Sequence, residues 1–153
     1  MTQWAYLLMA IAAGACLPLQ VGVNSSLARG LENPISAALV SFAVGTCVLL
    51  AFVLIMRLPL PGFSRAAAMP WWIWISGGFL GAYFVSATVY LAPRTGATVL
   101  FMTIITGQLL FALLLDSKGF MGLPERSLSP GRIAGIALMT AGAYLTPRLD
   151  DLT

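Results

Sequence analysis

The chain has 153 residues, 59% of them hydrophobic and 8% charged, where soluble domains carry about a quarter charged residues; with a mean hydropathy of +0.93 this excludes a soluble domain and requires an integral membrane protein. The net charge of +3 comes from 8 basic and 5 acidic residues, nearly all in the gaps between apolar runs, a flanking pattern that excludes a nucleic-acid patch. There is no His, and Cys16 and Cys47 lie inside apolar runs, so neither a metal site nor a disulfide framework is expected, and no cofactor is called for.

The first residues, MTQW, lack the basic start of a signal peptide, and AAGAC ending at Cys16 matches a lipoprotein cleavage box only loosely. The first apolar run therefore reads as a spanning helix over about 4–27, kinked at Pro18. Its end, PLQVGVNSSLARG, places Gln20 and Asn24 four apart on one face. Carboxamides in hydrocarbon are costly unless hydrogen-bonded, so this face either contacts a substrate or binds a neighbouring helix.

Arg29, Gly30, Glu32 and Asn33 form a short polar connection, and Pro34 suits the first position of a second helix over about 34–56. Ala37, Ser41 and Gly45 recur on it at the four-residue spacing that lets membrane helices approach closely. The gap from Arg57 to Pro70 contains Arg65 and three prolines, Pro70 the last of them, and reads as a loop. A third helix, about 71–91, opens with Trp71, Trp72 and Trp74, rings suited to the headgroup layer. Ser76, Tyr83, Tyr90 and Arg94 form a polar stripe opposite Gly77 and Gly81. That stripe either lines a permeation path or consists of locally bonded tyrosines with Arg94 snorkelling to the surface.

Pro93 marks the end of the third helix, and a fourth follows over about 96–115, with Gln108, Ala112 and Asp116 on one face. Asp116 is the acid nearest a spanning segment: it either serves ion coupling or pairs with Lys118 at the interface. Ser129 and Pro130 are the cap and first turn of a fifth helix over about 130–145. At some 16 residues, roughly 24 Å, it is short for a bilayer, so Arg132 and Arg148 are expected to reach outward to the two interfaces. Gly131, Gly135 and Gly142 give it a face for tight packing, suited to a second copy of the helix.

The expected fold is an all-α membrane protein, one domain over 1–153 with five transmembrane helices. Five spans put the termini on opposite sides. Arg57, Arg65, Lys118, Arg126 and Arg132 then share the N-terminal side, and Arg29, Arg94 and Arg148 the other. This small excess assigns the N-terminus to the cytoplasm, yet permits both orientations. Two copies inserted upside down to one another would form ten helices with inverted symmetry, as secondary transporters often do within one chain.

In order and spacing, PLQVGVNSSLARG, SFAVGTCVLL, WISGGFLGAYF, GQLLFALLLDSKG and SPGRIAGIALMTAGAYL resemble the YdcZ-type five-helix group of the drug/metabolite transporter superfamily. The resemblance covers nearly the whole chain. It implies a multi-pass protein of the bacterial inner membrane that forms half of a ten-helix transporter, as a homodimer or with a sibling protomer. On it, Gln20, Asn24, Gln108 and Asp116 stand at the polar positions. The first helix lacks the embedded glutamate of the related four-helix multidrug exporters, so proton-for-cation exchange is not carried over.

The expected function is a secondary transporter protomer for a small metabolite or drug-like molecule, surrounded by membrane lipid. Gln20, Asn24, Tyr83 and Gln108 are the candidate substrate contacts, Asp116 and Arg94 the candidate coupling groups, and Gly77, Gly81, Gly131, Gly135 and Gly142 the packing positions. The absence of an embedded carboxylate through most of the bundle favours a neutral or zwitterionic substrate over a naked cation. The alternative is a non-transporting accessory or scaffold subunit with sealed polar faces. An enzyme is not expected: nothing pairs a nucleophile with a base, and GGFLG at 77–81 lies inside an apolar helix, where it cannot cradle phosphate.

Overall fold

The computed structural model describes residues 3–59, 62, 67–119 and 124–150, the side chains of 147–150 excepted; Arg65 and the Arg148 side chain lie outside the described residues. The described residues form five α-helices: α1 (Gln3–Gly30), α2 (Pro34–Ile55), α3 (Trp71–Thr95), α4 (Ala97–Lys118) and α5 (Pro130–Asp150). Four of them, α1 to α4, are long and apolar enough to cross a membrane. The expected fifth span is less apolar, because its 21 residues include Arg132, Arg148, Asp150 and two internal threonines at 140 and 146.

Local chemistry sets the helix ends. At α2, the Asn33 side-chain oxygen accepts hydrogen bonds from the Ile35 and Ser36 amides at 2.8 and 3.3 Å, while Pro34 stands in the first turn, where a missing N–H costs nothing. Ser129 Oγ accepts from the Arg132 amide at 3.3 Å and caps α5. Gly119 closes α4 in the left-handed conformation, its N–H returning to the Leu115 carbonyl.

Two helix ends differ from the reading of the sequence. α3 continues through Pro93 to Thr95, and α5 through Pro147 to Asp150. A proline near the C-terminal end forgoes one backbone bond without unwinding the turn behind it, so it does not fix the stopping point. What ends α3 is Gly96, at φ 75° and ψ 153°, a region that only glycine enters cheaply. Pro18 is likewise inside α1, which runs on to Gly30.

The chain divides into two compact units, Met1–Arg94 and Thr95–Thr153. In the first, α1 and α2 pack as a hairpin, and Ala28, Ala37, Ala38, Val85 and Val89 form a small core flanked by Leu27 and Phe84. The alanines near the start of α2 allow the close approach, Ala37 being fully buried. In the second unit α4 packs on α5. There the Thr146 hydroxyl lies 3.3 Å from Met102 Sδ, and a Cβ added at Gly142 would meet Met102 Cε at 3.7 Å. In the apolar stretches of α1, α2 and α4 only 6% of residues are buried, so most of each helix surface is left for lipid or for another chain.

Candidate functional site

Gln20 and Asn24 share a face of α1 but not an environment. Asn24 is buried, and its Nδ2 donates to Ser41 Oγ on α2 at 3.3 Å. It therefore joins the two helices, the role expected of an interhelical amide. Gln20, one turn earlier, is exposed. It lines a groove of about 230 Å³ with Ser41, Phe42, Gly45, Thr46 and Leu49. The groove exists because Gly45 contributes no side chain opposite Gln20, and nothing lies within 4 Å of where its Cβ would be.

Tyr83 is 72% exposed on α3, and Gln108 is exposed on α4. Among the described residues Gln20, Tyr83 and Gln108 make no hydrogen bond. Each stands in the middle third of its own helix: at 1.5 Å per residue, Gln20 lies about 5 Å from the midpoint of α1, and Tyr83 and Gln108 within about 1 Å of the midpoints of α3 and α4. Two hydroxyls near the middle of their own helices are satisfied within those helices. Thr46 Oγ1 donates to the Phe42 carbonyl at 2.8 Å and Thr140 Oγ1 to the Ile136 carbonyl at 2.9 Å.

Asp116 does not pair with Lys118. Two residues apart on a helix, these side chains point in different directions, and Asp116 instead holds Arg132 of α5, with Oδ2 and Nη2 2.5 Å apart. Arg132 thus turns inward, where the sequence placed it reaching outward to the interface. The pair sits in a groove of about 330 Å³ between α4 and α5, with apolar walls that include Leu109, Leu113 and Ile136. Ala112 and Asp116 line this groove, whereas Gln108 of the same stripe does not. Arg132 Nη1 is buried with no partner.

Arg94 is exposed at the end of α3, its guanidinium 3.7 Å from the centroid of the Tyr90 ring and donating to the Tyr90 carbonyl. Of the five candidate packing glycines, Gly81 and Gly142 face a neighbouring helix: a Cβ at Gly81 would lie 3.1 Å from Phe42 Cζ. Gly77, Gly131 and Gly135 have open space where a Cβ would stand. Reasoning from sequence missed Ser41 as the acceptor for Asn24 and Arg132 as the partner of Asp116. Each pair is joined across a helix hairpin, 17 and 16 residues apart, and local spacing carries no sign of it.

Residues 5–145 match the family described as "Putative inner membrane exporter, YdcZ". The chain is also similar to the inner membrane protein YdcZ of Escherichia coli K12, 31% identical over 149 residues that cover 97% of this chain and 98% of that protein. No solved structure matches the chain. A match of this extent, on a chain whose described helices include four able to cross a bilayer, identifies a multi-pass inner-membrane protein: the chain belongs to the YdcZ family of inner-membrane proteins.

Proposed function

We propose that this chain is one protomer of a secondary exporter. In this reading it pairs with a second five-helix chain, in opposite orientation, to form a ten-helix bundle around a path for a small polar or amphipathic molecule, and α5 completes the fifth span. The observation that carries the reading is the set of unpartnered polar groups at mid-height, Gln20, Tyr83 and Gln108. Against acyl chains such groups cost several kcal/mol each. A path that substrate and water enter removes that cost, and the nearby threonines need no such path because their own helices satisfy them. Asn24 is assigned to holding α1 on α2, and the Asp116–Arg132 pair to holding α4 on α5.

Export from proteoliposomes tests the proposal. A panel of neutral and zwitterionic metabolites, with ethidium as the cationic comparison, is loaded and its release followed. Gln20→Ala and Gln108→Ala are expected to slow release of the transported compound without loss of folded protein. Unchanged release in both variants overturns the site, and a protein that moves none of the panel while its polar faces stay closed to water favours the accessory-subunit reading.

A further inference from the structure

The first unit contains a second concavity, about 330 Å³, whose wall includes Arg29, Glu32, Tyr90 and Arg94 together with the apolar Ala28 and Val89. Arg29 is the penultimate residue of α1 and Arg94 of α3, while Pro34, the first residue of α2, lies on the same wall. Three helix ends thus line one concavity, at the level where these apolar helices end.

Both guanidiniums are held, and neither is neutralised. Arg29 Nη2 donates to Ser26 Oγ at 2.8 Å, and Arg94 is stacked on Tyr90 and bonded to its carbonyl. Among the described residues the ion pair formed is Asp116–Arg132, so neither Arg29 nor Arg94 has a carboxylate partner, and Glu32 on the same wall pairs with neither. Ser25, 6% exposed, also lines the cavity, its hydroxyl without a partner.

Two forks of N–H donors from separate helices, preset by local contacts and not paired to a carboxylate of the described residues, match the oxygens of a phosphate. The apolar part of the wall suits the glycerol and first acyl carbons beside such a group. We infer that this pocket binds a phosphate oxyanion, supplied in the membrane by the headgroup of an anionic phospholipid. Glu32 opposes the ligand and sets its affinity. The lipid would tie α1 to α3 at the end where no side-chain ion pair does so.

Native mass spectrometry of the full-length protein, released from nanodiscs of mixed phosphatidylglycerol and phosphatidylcholine, reads the site directly. Wild type is expected to retain phosphatidylglycerol preferentially. The Arg29→Gln/Arg94→Gln double variant is expected to lose that retention by about tenfold, Glu32→Gln to raise it severalfold, and Arg126→Gln, which removes a positive charge away from the pocket, to leave it unchanged. If added glycerol 3-phosphate fails to displace the lipid, the lipid headgroup is the source of the phosphate. If it displaces the lipid and stabilises wild type but not the double variant against heat, the pocket binds phosphate from a soluble source. A wild type with no preference for phosphatidylglycerol overturns the inference even where the double variant does not fold, and so does undiminished retention by a folded double variant.

Discussion

Asn24→Ala and Gln20→Ala remove amides one helical turn apart and are predicted to have opposite consequences. Asn24 is 5% exposed and bonded to Ser41 at 3.3 Å. An interhelical bond of this kind is worth about 0.6 kcal/mol, and the void left by the missing carboxamide adds about 1 kcal/mol, so Asn24→Ala is expected to cost about 1.5 kcal/mol. For a chain of this size that lowers the melting temperature by about 3–6 °C, measurable by the thermal shift of the protein in micelles. A double-mutant cycle with Ser41→Ala should return a coupling of about 0.6 kcal/mol. Gln20→Ala loses no bond and no packed atoms, so its melting temperature should stay within about 1 °C of wild type, while export slows. If Gln20→Ala destabilises and Asn24→Ala does not, the division between a structural amide and a substrate-facing amide is refuted.

Substitutions at Gly81, Gly96 and Arg132 test the packing, a helix end and the ion pair. Gly81→Leu drives carbon into Phe42, which already stands 3.1 Å from the Cβ position, and should cost about 1–3 kcal/mol; Gly81→Ala should be tolerated because the Phe42 ring has room to swing, and Phe42→Ala should rescue Gly81→Leu. Gly96→Ala forces a side chain into a backbone conformation at φ 75° and should cost about 1–3 kcal/mol in thermal unfolding, whereas Gly22→Ala, in open space on α1, should be neutral or slightly stabilising. Arg132→Gln strands Asp116, and because both side chains are partly exposed the loss should be about 1 kcal/mol, with part of it recovered in the double variant Asp116→Asn/Arg132→Gln.

The first four spans were legible because hydrocarbon tolerates few charges, so a long apolar run announces itself in composition. The cap at Ser129 before Pro130 was legible too, because it acts on its immediate neighbours and the information is local; Asn33 before Pro34, read only as part of a connection, caps α2 by the same local chemistry. Pairings across a hairpin were not. Nothing in the spacing of Asp116 and Arg132, or of Asn24 and Ser41, records that packing brings them together. The shared face of Gln20 and Asn24 was a correct inference from four-residue spacing but an incomplete one. Whether each amide is covered depends on the residue opposite: Ser41 fills the space across from Asn24, and Gly45 leaves it empty across from Gln20. The glycine stripes are incomplete for the same reason, since a small residue permits close approach without saying what approaches. Gly81 has Phe42 against it, and Gly131 and Gly135 have nothing within reach.

Water accessibility at mid-height tests the central claim without knowledge of the substrate. In a cysteine-free background, with Cys16 and Cys47 replaced by alanine, single cysteines at 20, 83 and 108 are challenged in intact membranes with a membrane-impermeant thiosulfonate. Cysteines at Leu19 and Phe111, 70% and 69% exposed but apolar, serve as lipid-facing references. The account predicts labelling at 20, 83 and 108 well above both references. Labelling at the three positions no faster than at 19 and 111 would place these groups against lipid and contradict it.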